Sequence, residues 1–312
     1  MPKRYDVITF SDMCVDLIVT GPDVTPQFGQ VEKLVADYTL ELGGSCNIFA
    51  CQAAKMGLRT AALGRVGADS FGELILRRLA ENGVDPIHVQ VDPARKTGLG
   101  IALCPPGDRA ILTYLGTINA VYPEDASDDL LAATRHVHHA SYYLHTNLRP
   151  AVAEIFQRAR RLGATTSLDT NWDPDETWDG GLEEVLPHTD LFFPNDQEAL
   201  RISRRPDLPS AARYFLDLGV RVVAIKRGAQ GALVYTAQGC LEQAVSPVNG
   251  GDSIGAGDSF DAGFLGGWLR GLPLARCLEI ATECGRSVAG QVGGLAGQPR
   301  WEEVAGGLPG GG

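Results

Sequence analysis

Hydrophobic and polar positions along the chain alternate between short apolar runs and segments with helical spacing. The apolar runs predict strands at residues 6–10, 15–20, 60–66, 137–144, 165–168, 191–193 and 220–225. Apolar residues that recur every three or four positions predict helices at 45–56, 70–82 and 151–162. Ser70 with Glu73 predicts a capping box at the start of the second helix, and Gly57 and Gly83 predict helix ends. Strands that alternate with helices indicate an α/β fold with a mostly parallel sheet.

Two stretches, 12–42 and 96–116, do not follow this alternation. They mix polar and apolar residues with Gly and Pro, and helical spacing is largely missing from them. We expect them to add strands outside the main sheet as a small β lid. No linker interrupts the rest of the pattern, so residues 1–305 are predicted to form one domain. The glycine-rich end, 306–312, is predicted to be a disordered tail.

Composition and charge exclude several classes of protein. Of 312 residues, 44% are hydrophobic and 21% charged, which excludes a mainly disordered chain. The net charge of −11 would repel phosphate polymers, so we expect no nucleic-acid partner and no membrane partner. No stretch approaches the roughly 20 apolar residues of a membrane helix. Seven cysteines without a C-x-x-C pair predict free thiols and a cytoplasmic protein.

The segment around Gly255-Ala256-Gly257-Asp258 is the most informative for chemistry. Small residues there precede an apolar helix expected from about residue 259. Free amides at a helix start carry partial positive charge and bind phosphate groups. A carboxylate beside them can take a proton from an attacking hydroxyl. The alternative is that Asp258 only caps the helix.

A second candidate region lies in the N-terminal part of the chain. Gly43 and Gly44 precede a helix whose first turn holds Asn47, an amide that can bind hydroxyl groups. Asp16 lies in an apolar strand, where a buried carboxylate needs hydrogen-bond donors. Asp12 is a weaker candidate of the same kind. The alternatives are a tight turn with a satisfied Asn and an Asp that faces solvent.

These features in this order resemble the PfkB (ribokinase-like) carbohydrate kinases. DSIGAGDSFDAGF at 252–264 is similar to the C-terminal signature of that family, and GGSCNIFACQAAKMGLRTAALGRVGADSFGE at 43–73 is similar to its N-terminal signature. The resemblance covers about residues 5–300. It implies a ribokinase-like three-layer sandwich with a mostly parallel central sheet and a small β lid.

The resemblance also implies roles for individual residues. Asp258 falls on the catalytic base, and the sequence NDQE at 195–198 matches a motif that organises hydrated Mg²⁺. Asp252 falls where many members hold a monovalent cation, so K⁺ is an open possibility, although Ser253 and Ile254 depart from the common Thr pair. The implied anion hole is formed by Gly255, Ala256 and Gly257. The residues implied to bind the sugar are Asp16, Asp12, Gly43, Gly44, Asn47 and His145. Those implied to bind ATP are Asn195, Lys226, Gly228, Gly255 and Gly257, and those implied to hold the metal are Asn195 and Glu198.

One departure bears on the substrate. Asp173 stands where many members have Arg, which argues against 2-keto-3-deoxygluconate and against sugar phosphates as acceptors. The expected function is therefore transfer of the γ-phosphate of ATP to a primary hydroxyl of a small sugar of the ribose or fructose type. A nucleoside kinase of the same family and a non-catalytic sugar or nucleotide sensor are the alternatives. The resemblance further implies a homodimer formed through the lid.

Overall fold

Thirteen strands and ten α-helices are found in the computed structural model, which describes residues 3–248 and 251–306. The strands are β1 Tyr5–Phe10, β2 Cys14–Thr20, β3 Asp37–Gly43, β4 Thr60–Gly67, β5 Val84–Asp92, β6 Gly98–Cys104, β7 Ala110–Tyr114, β8 Thr134–His139, β9 Thr165–Leu168, β10 Leu191–Phe192, β11 Val222–Lys226, β12 Ala232–Thr236 and β13 Gly239–Gln243. The helices are α1 Ser45–Lys55, α2 Ser70–Glu81, α3 Asp128–Ala132, α4 Val152–Arg161, α5 Leu182–Val185, α6 Asp196–Ser203, α7 Leu208–Asp217, α8 Ala256–Trp268, α9 Leu274–Ala289 and α10 Trp301–Ala305. Apart from Gly306, the predicted tail lies outside the described residues.

Nine strands form the large sheet, in the order β13-β12-β11-β10-β9-β8-β1-β4-β5. All neighbours from β11 to β5 run parallel, and only β12 and β13 join in antiparallel register at one edge. The predicted α/β fold with a mostly parallel sheet is confirmed. Parallel neighbours also bring the carboxyl ends of their strands to one edge of the sheet, and loops at that edge carry ligand sites in folds of this type.

Helices cover both faces of the large sheet. Along β1, Ile8 and Phe10 pack into the apolar core beside α4 and α7, whereas Val7 packs into the core beside α1, α8 and α9. In β11, Ile225 and Ala224 divide between the same two cores. A strand buried on both faces is apolar at nearly every position, which explains the short unbroken runs of the sequence. None of the helices in the described ranges has the length and apolar character needed to cross a membrane.

A second, smaller sheet has the order β3-β2-β6-β7. Its strands come from the two stretches that depart from the βα alternation. The β2–β6 pair is parallel, and the two outer pairs are antiparallel. Residues such as Val15, Ile18 and Leu42 join this sheet to α1 and α2 through a third apolar core. The small sheet therefore lies over the same edge at which β1 ends.

One predicted helix cap and three predicted boundaries differ from the structure. The cap of α2 is Asp69, not Ser70 with Glu73, because the Asp69 carboxylate accepts the Gly72 amide at 2.9 Å. The strand predicted at 137–144 runs from 134 to 139, and the next residues form a turn with Ser141 at φ 52°. The strand predicted at 220–225 spans 222–226. Helix α8 begins at 256 instead of about 259.

Candidate active site

A cavity of about 910 Å³ opens at the carboxyl edge of the large sheet. One wall is formed by the loop 105–109, which joins β6 to β7 of the small sheet. The other walls are formed by residues 226–231, 245–248 and 251–257 and by parts of α9. A cleft of this size between a small sheet and the end of a parallel sheet is large enough for a nucleotide-sized ligand.

The first turn of α8 presents backbone amides toward this cleft without a side-chain cap. Gly255 begins the turn at φ 73°, and an added Cβ would lie 2.6 Å from Gly294 Cα and 2.9 Å from Ile48 Cγ2, so only glycine fits. Among the described residues, the amides of Gly257 and Asp258 have no hydrogen-bond acceptor. Because the helix begins at residue 256, these amides lie in its first turn, where an anion is favoured.

Asp258 lies in that same turn and is almost fully buried. Burial raises the pKa of its carboxyl to about 8, and the nearby carboxylates of Asp169 and Asp12 act in the same direction. The ammonium of Lys226 and a hydrogen bond from Ser45 oppose this rise. A carboxyl group with a pKa near neutrality is suited to take a proton from a hydroxyl group and release it later. The helix cap is Gly255, so Asp258 is free of the alternative capping role.

Asp16 is the unpaired acid of the small sheet. In the register of β2, it pairs with Glu41 of β3 and Gly100 of β6. A Cβ at either Gly43 or Gly100 would overlap its carboxylate. No hydrogen bond or ion pair reaches that carboxylate from the described part of the chain, and burial, with Asp12 and Asp252, raises its pKa to about 7. Arg109 opposes this rise. A half-buried carboxylate without hydrogen-bond donors is suited to accept hydrogen bonds from ligand hydroxyls.

Gly100 lies against Asp16 and is a candidate site residue that the sequence analysis missed. The signal was present, since glycine inside a strand often marks the close approach of another group. Gly100 alternates with apolar residues in the β6 sequence GLGIALC, and the cost of a side chain there comes from Asp16 on the neighbouring strand. The contact between Gly100 and Asp16 becomes evident only when the pairing of β2 with β6 is known.

Asp12 and Asn47 hold the start of α1 instead of lying open in the cleft. The carboxylate of Asp12 accepts the amides of Ser45 at 2.8 Å and Cys46 at 2.9 Å, so it caps α1 from 33 residues away. The fully buried Asn47 donates to the carbonyls of Gly43 at 2.9 Å and Asp12 at 3.3 Å, which leaves its Oδ1 without a partner among the described residues. Gly44 lies between them at φ 88°, where a Cβ would overlap the Asp12 carbonyl oxygen.

A chain of hydrogen bonds that the sequence analysis missed joins these elements. Ser141 donates its hydroxyl to Asp12 at 2.6 Å and its amide to Asn171 Oδ1 at 2.7 Å. Asn171 then donates its amide group to the Ser45 hydroxyl at 2.9 Å. Ser141 and Asn171 both have positive φ, so this contact holds two strained turns in place. The loops after β8 and β9 are thereby fixed beside Asp258.

Lys226, expected to contact ATP, has its ammonium group engaged by two buried acids. Its Nζ lies 2.5 Å from Asp169 Oδ2 and 3.3 Å from both oxygens of Asp261. A direct bond to phosphate would have to compete with this buried pairing. Lys226 also lines the cavity, so its contact with ATP stays a prediction. Gly228, the other residue expected to contact ATP from this loop, lines the cavity at φ 53° with no atom within 4 Å of an added Cβ.

Asn195 and Glu198 form a reciprocal capping box at the start of α6. The Glu198 amide donates to Asn195 Oδ1 and the Asn195 amide to Glu198 Oε2, both at 2.8 Å. Burial, with Asp169, raises the pKa of the Glu198 carboxyl to about 7. A nearly buried carboxylate beside an amide oxygen is a donor set that fits a hydrated Mg²⁺ ion, because this ion prefers oxygen ligands and keeps several waters. The capping role is therefore compatible with the predicted metal role.

Asp252 links two loops at the mouth of the cleft. One carboxylate oxygen accepts the Ile254 amide and the other accepts the Gly293 amide, each at 2.9 Å. Ser253 between them has φ 57°. The carboxylate thus fixes the loop that leads into the anion site. The backbone oxygens around it are the kind of ligands that a monovalent cation would use.

His145 and Asp173 both lie away from open space. His145 is fully buried with its ring stacked on His139 at 5.1 Å, and burial lowers its pKa to about 4. It therefore does not line the cleft in this conformation, which leaves the predicted sugar contact without support. The carboxylate of Asp173 accepts the Asp175 amide, the Trp178 amide and the Thr177 hydroxyl, so it organises its own loop.

Comparison with known proteins agrees with this geometry. The sequence model described as the pfkB family carbohydrate kinase matches residues 5–301. An ATP-dependent ribose-1-phosphate kinase of Halopiger xanaduensis is 33% identical over 254 residues, covering 80% of this chain and 81% of that protein. A 5-dehydro-2-deoxygluconokinase of Geobacillus kaustophilus is 28% identical over 89% of this chain and 85% of its own. A ribokinase-type protein of E. coli, solved with ATP and Mg²⁺, is 26% identical with a TM-score of 0.83 and 98% coverage of both chains. The chain belongs to the pfkB family of carbohydrate kinases and is a phosphotransferase with an alcohol group as acceptor.

Proposed function

We propose that this sugar kinase transfers the γ-phosphate of ATP to a primary hydroxyl of a small sugar of the ribose or fructose type. One observation carries the proposal: a buried, titratable carboxyl, Asp258, lies in the same helical turn as uncapped amides. The amides of Gly257 and Asp258 would hold the charge on the transferred group. Asp258 would take the proton of the attacking hydroxyl.

The acceptor would bind between the small sheet and the start of α1. Asp16 would accept hydrogen bonds from sugar hydroxyls, because its carboxylate has no other donor in the described structure. Gly43 and Gly100 leave room for that carboxylate, and the turn at Gly44 brings backbone close to the sugar. Asn47 stabilises this turn through its hydrogen bonds to the carbonyls of Gly43 and Asp12. A small sheet that closes over the acceptor would exclude water and limit the loss of ATP by hydrolysis.

ATP would occupy the cavity beside α8, with its terminal phosphate at residues 255–257. Gly228 and Gly257 line this space, and Asp252 holds the loop next to it. Mg²⁺, when bound, would neutralise charge on the phosphates, and Asn195 and Glu198 would hold it through water. A K⁺ ion near Asp252 is a further element of the proposal. It predicts higher turnover with K⁺ than with a bulky organic cation of equal charge.

The identity of the sugar is the least constrained part of the proposal. The two relatives described above phosphorylate different acceptors, ribose 1-phosphate and 5-dehydro-2-deoxygluconate, as their names state. Asp173 supplies no cation for an acidic group, since its carboxylate is turned into its own loop. This favours a neutral sugar over a phosphorylated one. We therefore rank ribose and fructose first, ahead of sugar phosphates, acidic sugars and nucleosides.

We also propose that two copies pair through the outer face of the small sheet. Strand register places Leu17, Tyr38, Leu40, Leu112 and Tyr114 on the face opposite Asp16. Tyr38 is 67% exposed and Leu112 is 61% exposed. A continuous apolar face of this kind on a soluble enzyme marks a contact surface.

The experiment is an assay of ADP release with Mg²⁺, run against ribose, fructose, ribose 1-phosphate, 5-dehydro-2-deoxygluconate and adenosine, each in K⁺ and in tetramethylammonium. Asp258→Asn should lower kcat by about 10²–10⁴-fold with little change in acceptor binding, because only the proton acceptor is lost. Near-normal turnover of this variant would reject Asp258 as the base. Acceptor binding by the parent chain without ADP release under any condition would favour a sensor instead.

A further inference from the structure

A group of buried charges lies directly beneath the first turn of α8. Lys226 ends β11, Asp169 follows β9, and Asp261 lies one helical turn after Asp258 on α8. The side chain of Lys226 is 13% exposed, that of Asp169 3% and that of Asp261 0%. Burying three ionisable groups together is costly unless they neutralise one another, so their arrangement calls for an explanation beyond folding.

The ammonium group of Lys226 also lies next to the first turn of α8, which carries the uncapped amides. Lys226 Nζ lies 3.4 Å from the point that a Cβ of Gly257 would occupy. The same ammonium is bonded to Asp261 of α8 and to Asp169 of the sheet edge. It therefore bridges the sheet to the helical turn that carries both the uncapped amides and Asp258.

The contacts of this group determine how its members affect one another. Burial raises the pKa of Asp261 well above its usual range, and a hydrogen bond with Asp169 acts in the same direction. Burial alone would lower the pKa of Lys226, but Asp169, Asp261 and Glu198 together raise it. Lys226 is therefore the positive partner of two acids, with its Nζ 2.5 Å from Asp169 Oδ2 and 3.3 Å from Asp261 Oδ1. Both partners act on Asp258: the Asp169 carboxylate raises its pKa, and the Lys226 ammonium lowers it.

We infer that Lys226, with Asp169 and Asp261, is a positioning unit for the transfer reaction: it fixes the anion-binding turn to the sheet and provides the positive charge that allows Asp258 to ionise. This inference rests on the proposed role of Asp258 as the base. It differs from the phosphate contact expected for Lys226, because the ammonium acts through Asp258 and the α8 turn. Several groups face Asp258 from the elements packed around it: Asp12 before β2, Ser45 and Cys46 of α1, Asp169 after β9, Lys226 of β11 and Asp261 of α8.

The charges predict opposite effects for opposite substitutions. Lys226→Met removes the positive charge, so the pKa of Asp258 should rise. The acid limb of the pH profile of kcat/KM, called the limb below, should then move to higher pH by about one unit or more. The double variant Asp169→Asn with Asp261→Asn leaves the ammonium with Asp258 as its nearest acid. The limb should then move to lower pH by a similar amount. Loss of packing alone would not produce shifts of opposite sign.

Asp261→Asn alone is the matched control. This change keeps the contact between Lys226 and Asp169, so the limb should move by less than it does in the double variant. The triple variant, without any of the three charges, should return the limb toward the parent value. KM for ATP is measured throughout, because a direct phosphate contact predicts a rise in that KM for Lys226→Met.

The outcomes separate the two proposals. If Asp258→Asn keeps near-normal turnover, the base assignment fails, and the inference about Lys226 fails with it. If that variant is inactive but neither Lys226→Met nor the double variant moves the acid limb, only the inference is overturned. If Lys226→Met cannot be purified, the double variant decides alone, and an unmoved limb contradicts the role of Lys226.

Discussion

Asp258→Asn should make the protein more stable at neutral pH while it removes activity. The folded chain raises the pKa of this carboxyl from 3.8 to about 8, chiefly by burial. A raised pKa means that folding favours the protonated form, so its stabilising effect is complete below pH 3.8 and is lost as pH rises toward 8. At about 1.4 kcal/mol per unit over the roughly three units up to pH 7, the cost is about 4 kcal/mol at most. The amide of Asn carries no such cost.

The test is urea unfolding of the parent and the variant between pH 4.5 and pH 9. The difference in free energy of unfolding should be small at the acid end, should widen in favour of the variant up to about pH 8, and should then level off. Asp6→Asn provides a control of opposite sign. Its ion pairs with Arg59 and Arg135 lower the pKa of Asp6 to about 2 despite burial, so removing it should destabilise the chain above pH 4. A difference between parent and Asp258→Asn that does not change with pH would refute the reasoning.

Two further predictions concern the small sheet. Gly100→Ala should lower kcat/KM for the acceptor about 10- to 100-fold with KM for ATP unchanged, because the methyl group would displace the Asp16 carboxylate and weaken charged hydrogen bonds of about 1.5–3 kcal/mol; equal losses for both substrates in steady-state kinetics would contradict a role confined to the acceptor. Leu112→Lys should shift the chain from dimer to monomer in sedimentation velocity, since a charge on the apolar outer face opposes pairing; a monomeric parent chain would reject the dimer.

Periodicity predicted those parts of the fold in which each strand or helix buries its own side chains. Helix α4 and strand β1 are of this kind, and both lie within one or two residues of their expected ends. The strand expected at 137–144 failed because Tyr142 and Tyr143 are apolar enough to extend the run. They enter the core from a turn, and the Tyr142 hydroxyl donates to the Gly180 carbonyl at 2.6 Å. Residues that are buried in a turn do not recur at a regular spacing, so their burial cannot be distinguished from that of a strand by hydrophobic periodicity.

Candidate residues could be found from the sequence more readily than their roles. Asp258 and Asp16 were recognised because an acid among glycines or apolar residues needs a reason to be there. The capping of α1 by Asp12 spans 33 residues, and the pairing of Lys226 with Asp169 spans 57. Neither relation leaves a local pattern. The sequence could therefore suggest Lys226 as a phosphate contact, but it could not reveal that the ammonium is also paired with buried acids.

Unfavourable features of this chain are concentrated at one edge of the large sheet. Asp16 is half-buried and Asp258 is buried, and both acids have a raised pKa that a cation opposes, Arg109 for Asp16 and Lys226 for Asp258. Three residues of the same region, Ser141, Asn171 and Ser253, have positive φ without being glycine. Such strain persists only where the surrounding structure enforces it. Sugar hydroxyls would supply the donors that Asp16 lacks, and a phosphate group would supply acceptors for the free amides of α8. The half-buried carboxylate and the free amides are unfavourable without ligands, and the two substrates would supply the missing hydrogen bonds. This is the physical reason to assign both substrates to this edge.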